Sequence, residues 1–496
     1  MSIQKKIKSI QSFSYYSIAK VFVIVFFIAR PVHSEEAKNN SSFYLSESKK
    51  LDENELRHKK EGWYPTALPI VSYDPVIGNG FGVIGNLFDN GKKNSPLFEY
   101  QPYVYKTSIY LFKSSGRAES YGIDFDSPYL FNTPYRLKLS LSYDRNPNTQ
   151  YFGIGESTMK PLTYRTKNLS SENLHENAQF SEMEDAYSYR RPSNSPNAPR
   201  YVSDVDKNVY DFGSTTLSIL LDRTFFGAFR ILFSPEFSQN VIRTYDYKTD
   251  NPNRQNSNLK KAKDPLTGWE SLTPNGKSQL TEDYESKKIL GYHGGNINYI
   301  RFGLMYDTRD FEPDPDSGVV VELNHAKVGK LTGSDFEFSK TLLQFKYFKM
   351  PLPQYFEELV ISSRALINYT KGSAPFFEYK YIWSADGPID GLGGLQTIRG
   401  YRQERFVAPV MGVANLEIRW RFATIKKGDE LFTFSLVPFF DTGRVWEDPN
   451  HIHLKGYARS HGIGLRAIWN QATVVLLDYA KSKEGSQVFL DFNHIF

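Results

Sequence analysis

The sequence predicts an all-β fold: an integral outer-membrane antiparallel β-barrel of sixteen strands over residues 63–496, with one loop folded into its lumen. Three observations carry that expectation. Apolar and polar residues alternate with period two, connections alternate between short and long, and the apolar faces are aromatic while the opposite faces carry Arg, Glu and Asp. Successive side chains of a strand point to opposite faces, so each such segment has one apolar and one polar side. A soluble sandwich or propeller also alternates, but puts its charges outside. Here the charges oppose an uncharged face of Phe, Tyr, Leu and Val, which suits lipid without and water within.

At the N-terminus, Lys5, Lys6, Lys8 and Lys20 flank the apolar run "VFVIVFFIA", followed by "ARPVHS". The run is too short to span a bilayer, and Val32-x-Ser34 before Glu35 suits cleavage. Residues 1–34 therefore read as a signal peptide rather than a membrane anchor. Residues 35–62 are too polar to make a packed domain and read as a disordered linker. The 496 residues include no cysteine, which excludes a disulfide framework, thiol catalysis, cysteine-ligated metal and a lipidated cysteine. A net charge of +5 without a basic cluster excludes a nucleic-acid partner.

Strand patterning begins at Trp63. In "GVANLEIRWRF", Ala414, Leu416, Ile418, Trp420 and Phe422 make one face and Asn415, Glu417, Arg419 and Arg421 the other. In "LFTFSLVPFFDTG", Phe432, Phe434, Leu436 and Phe440 oppose Thr433, Ser435 and Asp441. Comparable segments recur to the end, where Val488, Leu490, Phe492 and Phe496 are expected on one face. Connections at 224–227, 308–317 and 350–354 are short; those at 146–207, 245–294 and 371–408 are long and polar or turn-rich. An even number of strands with tight turns on one rim and long loops on the other describes a closed barrel. Closure leaves no sheet edge without backbone partners in lipid.

The stretch "GLQTIRGYRQERF" sits in the last long loop. Glu417 and Asp441 are expected on the lumen faces of the next two strands. If the loop folds inward, the Arg399 guanidinium reaches both, because its planar fork matches carboxylates bidentately. Gly393, Gly394 and Gly400 let backbone pass close to the wall, where Tyr401 packs.

These residues also resemble a known family. "TIRGY" is similar to the Val/Ile-Arg-Gly-Phe/Tyr motif in the sixth extracellular loop of the BamA/TamA (bacterial surface antigen) superfamily of outer-membrane assembly factors and transporters. "FFDTG", holding Asp441 and Gly443, is similar to its Phe-x-Asp-x-Gly strand motif, and "GLMYDTRD" before "PDSG" to its Tyr-Asp-x-Arg-Asp turn. The terminal strand with Phe492 and Phe496 resembles its assembly signal. The resemblance is strongest over 298–496. It implies that Arg399, Gly400 and Tyr401 form a loop lock with Glu417, Asp441 and Gly443, and that the seam between first and last strands opens laterally. It also implies clients: unfolded outer-membrane or secreted proteins, or lipid, with an accessory periplasmic protein as a further partner. The family's periplasmic POTRA domains have no counterpart in 35–62, so a barrel-only member is expected.

Other signals carry less. "GFGVIG" lacks the following helix that dinucleotide binding needs and reads as strand glycines. "DFEPDPDSG" lacks the calcium loop's length and terminal Glu, and reads as a solvated acidic turn. His451 and His453 lack a third ligand. No catalytic arrangement, metal or cofactor is expected, and the chain does not read as an enzyme. Two other functions remain open, a passive channel and a surface-exposed binding protein mounted on a barrel.

Overall fold

Period-two alternation produces strands with one wet and one greasy side, and these assemble edge to edge. The computed structural model describes residues 50–496 except 52–55, 57–58, 102, 168–171, 183–201, 204–207, 245–276, 313, 352–357, 428–429, 470–472 and 493. The barrel strands are β1 (Trp63–Asp74), β2 (Gly78–Asp89), β3 (Tyr105–Ser114), β4 (Glu119–Ser127), β5 (Tyr135–Gln150), β6 (Val209–Phe225), β7 (Phe229–Thr244) and β8 (Gly294–Asp307). They continue as β9 (Gly318–Val328), β10 (Glu337–Lys349), β11 (Leu359–Ser373), β12 (Val410–Lys427), β13 (Glu430–Trp446), β14 (Ala458–Trp469), β15 (Thr473–Ser482) and β16 (Gly485–Phe492). Every strand pairs antiparallel with its sequence neighbour, and the sheet closes. The expected sixteen-stranded barrel is the observed one. Among the described residues no helix is long and apolar enough to cross a membrane, so crossing falls to the strands.

The exposed faces are apolar. Phe81 and Val83 on β2, Phe302 and Leu304 on β8, and Leu416, Ile418 and Trp420 on β12 all point outward. Arg301, Glu322, Gln344, Glu417 and Asp478 point inward and are buried. In water this arrangement would be inside out; in a bilayer it matches the solvent.

β1 begins and β16 ends at one rim, where most connections are short turns, such as 226–228 between β6 and β7. The other rim carries the connections 151–208, 245–293 and 374–409. The first of these holds a small sheet of Thr163–Lys167, Glu172–Glu176 and Val202–Ser203. The third, here called the plug, enters the lumen and contains the hairpin Ile382–Ser384/Gly387–Ile389. "GFGVIG" lies within β2, paired with β1 and β3 as a strand.

Some expectations change. The strands reach further into the long connections than the sequence suggested, with β5 running to Gln150 and β11 to Ser373. Of the linker, residues 59–62 are held in place. Gly62 N–H donates to the Gly91 carbonyl at 2.9 Å, and Lys59 Nζ donates to the carbonyls of Phe98 and Gln101 at 2.7 and 2.6 Å. Residues 1–34, expected to be a signal peptide, and residues 35–49 of the expected linker lie outside the described residues.

Candidate functional site

The plug is a buried loop, which requires partners for its polar groups. Arg399 supplies the densest set. Its Nε and Nη2 donate to the two oxygens of Asp441 on β13 at 2.8 and 2.9 Å, the bidentate fork. Nη1 donates to Glu417 on β12 at 2.8 Å and to Asp478 on β15 at 2.9 Å. The Phe439 ring closes the remaining face, its centroid 3.4 Å from the guanidinium carbon. Three strands thus contribute one carboxylate each, and all four side chains are wholly buried.

Two further arginines balance the charge. Arg466 on β14 forks onto Asp478, and Arg419 on β12 donates to Glu417 at 3.0 Å. Three guanidiniums against three carboxylates leave the cluster neutral, which is how so much charge tolerates burial. Asn415 joins loop to wall, donating to the Thr397 carbonyl at 2.6 Å and to Asp441 at 2.8 Å.

Glycines set the approach. Gly400 has φ of +89°, and a Cβ there would stand 3.0 Å from the Lys481 carbonyl carbon on β15. Gly443 on β13 leaves the space that Ile398 and Leu392 of the plug occupy. Tyr401 packs edge-on against Phe406, with ring centroids 5.0 Å apart. The structure therefore brings Arg399, Gly400, Tyr401, Glu417, Asp441 and Gly443 together. Asp478 and Arg466 were missed, although both fall on lumen positions of alternating strands ("VVLLDYAK", "GIGLRAIW").

A second anchor lies deeper. At the hairpin tip, Asp386 pairs with Lys346 on β10 at 2.7 Å and with Arg309 at 3.2 Å. Burial pushes the Asp386 carboxyl up, but Arg309 and Lys346 outweigh it and hold it well below the usual carboxylate range. Glu322 on β9 accepts from Ser384 Oγ and the Ala385 N–H, each at 2.7 Å. Arg309 belongs to the turn beyond β8, so the plug crosses the lumen from the loop rim to the turn rim.

The acidic turn 308–317 is a strap, not the solvated turn expected. Glu312 approaches Arg136 on β5 at 3.3 Å and Arg230 on β7 at 3.8 Å. Asp314 and Asp316 approach Arg421 on β12 at 2.9 and 2.5 Å. Arginines on opposite walls recruit these acids, so the turn lies across the mouth. Among the described residues no His, Asp and Glu grouping suits a metal ion, and His453 faces Arg444 at 3.3 Å.

The C-terminal residues also turn inward. β16 ends at Phe492, and Phe496 does not share the outer face as expected. Arg419 donates to the Phe496 carbonyl at 3.0 Å and Arg364 to that of Ile495 at 3.2 Å. The Phe496 ring lies between those guanidiniums, 5.0 Å from Arg364 and 5.4 Å from Arg419. His494 meets Asp314 at 2.9 Å. Two lumen arginines with carbonyl acceptors hold this tail better than lipid would.

Solved structures similar to this chain are BamA from Haemophilus ducreyi lacking POTRA domains 1–3 (13% identity, TM-score 0.46), CdiB from Escherichia coli (9%, 0.48) and CdiB from Acinetobacter baumannii (10%, 0.42). Each match covers 88% of this chain, and respectively 70%, 63% and 60% of the matched one. No curated protein matches. Residues 41–104 match a domain of unknown function, DUF5982. Residues 105–489 match the Omp85 superfamily domain, a span holding the inward loop, its arginine and all three carboxylates. That match covers well over half of the chain, and the protein belongs to the Omp85 superfamily.

Proposed function

We propose that this barrel assists insertion or translocation of proteins at the outer membrane, with the plug as an internal brace locked by Arg399 and the β1–β16 seam as the place where a client strand pairs. The observation that supports it is the thinness of that seam. β1 is paired with β2 along its whole length, from Trp63 opposite Asp89 to Asp74 opposite Gly78. Against β16 it has a single register pair, Tyr73 opposite Leu490. Strand edges with unpaired backbone groups are templates for pairing with another chain. The lock holds β12, β13 and β15 together, so opening is directed to the one weak edge.

The test uses the absence of cysteine. Tyr73→Cys with Leu490→Cys places a disulfide across the seam, at a spacing that antiparallel pairs allow. In liposomes, the reduced protein is expected to accelerate insertion of an unrelated unfolded barrel over protein-free liposomes, and the oxidised protein is not. Equal rates in the two states overturn the seam. No acceleration by either, with steady ion conductance, replaces the reading with a channel.

A further inference from the structure

Barrel interiors are polar, yet on β1–β3 the lumen face carries two adjacent apolar rows between polar ones. Leu68 on β1 stands opposite Ile84 on β2, and Ile84 opposite Tyr110 on β3. One row along, Ile70 and Phe112 flank Gly82. Their outward neighbours Val71, Val83, Ile109 and Leu111 are exposed to lipid. At these two rows the wall is therefore apolar on both faces.

Among the described residues nothing covers the inner one. The lumen faces of β8–β15 are buried beneath the plug, but Leu68, Ile70, Ile84, Tyr110 and Phe112 stay partly exposed. The buried apolar clusters take no residue from β1–β4. The rings lie flat: a Cβ at Gly122 would strike Tyr110, and one at Gly80 would strike Phe112. Polar groups between the rows satisfy one another, Asn86 bonding Thr66 at 3.2 Å and Ser108 at 2.7 Å.

We propose that this inner face binds an acyl chain of a phospholipid from the periplasmic leaflet, admitted through the β1–β16 seam. The apolar surface is continuous with the lipid-facing surface across an edge held by one register pair. From Tyr64 to Ile70 the strand rises about 20 Å at roughly 3.3 Å per residue, a span comparable to the ~15 Å hydrocarbon depth of one leaflet, crossed once by the self-satisfied Thr66–Asn86–Ser108 row. At the turn-rim end Lys106 stands opposite Phe88, its Nζ 5.6 Å from the ring. Its neighbour Asp126 is already forked by Arg136 at 2.9 and 2.7 Å, so the Lys106 ammonium, with Asp124 also nearby, is a cation at the level of a headgroup phosphate. A leaflet lipid on the turn-rim side has its headgroup at that level and its chain pointing up this wall.

The inference rests on the barrel's seat in a membrane and not on client handling, so the insertion assay and the following measurement fail independently. The full-length cysteine-free chain is labelled with a nitroxide at Ile84→Cys (inner apolar), Val83→Cys (outer) or Ser140→Cys (inner polar) and reconstituted in phospholipid liposomes. Accessibility to oxygen and to a water-soluble nickel chelate is read by power saturation. Ile84→Cys is expected to match Val83→Cys, rich in oxygen and poor in chelate, while Ser140→Cys is open to chelate. Adding Leu68→Asp is expected to turn the Ile84→Cys label aqueous. A label at Ile84→Cys that is open to chelate from the start, closed to both reagents, or unmoved by Leu68→Asp overturns the proposal.

Discussion

Arg399 and Asp441 meet through two parallel hydrogen bonds of 2.8 and 2.9 Å, with the Arg399 N–H adding a third to the same carboxylate at 3.2 Å. Side chain and backbone of one loop residue are thus fixed by a single strand residue.

Removing that pairing exposes its worth. Breaking a buried ion pair costs about 3–5 kcal/mol, because the orphaned charges stay buried. Arg399→Glu is therefore expected to lower the temperature at which the barrel unfolds on a semi-native gel and to abolish activity. Asp441→Arg in the same chain should recover part of both. Arg399→Lys should fall between, since an ammonium cannot fork one carboxylate while reaching two others. An unchanged unfolding temperature in Arg399→Glu would remove the lock.

The plug tip should be separable from the lock. Asp386→Asn is expected to raise ion conductance while lowering heat stability less than Arg399→Glu does. The Asp386 carboxyl is held well below its usual range in the fold, so its contribution is present above the unfolded value near pH 4 and lost as pH falls below it. The Asp386 contribution to the conductance of the unaltered protein should then be constant from pH 8 to about 5 and change only under stronger acid. Asp386→Asn should remove that acid step.

The strap gives a coupling prediction. Asp314 and Arg421 join at 2.9 Å with little exposure on either side. A double-mutant cycle with Asp314→Asn and Arg421→Gln should return a coupling of roughly 0.5–3 kcal/mol. Additive effects would mean that the turn is merely solvated.

The tail should respond to milder acid. Burial, then Arg419, pushes the His494 imidazole below its usual value, with Asp314 offsetting only part. A depressed imidazole binds its proton more weakly in the fold. Docking is then complete above the unfolded value near 6.5 and weakens as pH falls through it. A nitroxide at Ile495→Cys should become more mobile between pH 7.5 and 5.5, and His494→Asn should remove that pH dependence. Arg364, Arg419 and Asp314 keep their charges across that window, so a step surviving His494→Asn would assign the titration elsewhere.

How much of this could be read without coordinates follows from what alternation encodes. Period two is a local property, so Glu417, Arg419 and Asp441 could be placed on a lumen face, and Leu416, Ile418 and Phe440 on a lipid face, from neighbouring residues alone. Strand number followed from the same pattern, and the Arg399 pairing from a loop between strands of one wall. What alternation cannot encode is which lumen residues meet across the interior. That depends on closure and on the path of each loop, and so Asp478 joined the Arg399 cluster unannounced. The acids of 308–317 look solvated in sequence because their arginine partners, Arg136, Arg230 and Arg421, are remote in the chain and come together only at the closed mouth. Phe496 continues the outward pattern on paper, but its strand ends at Phe492, and two lumen arginines then decide where the last residues go. The chain by itself determined the faces; the closed barrel decided the partners, because only closure brings opposite walls within hydrogen-bonding distance.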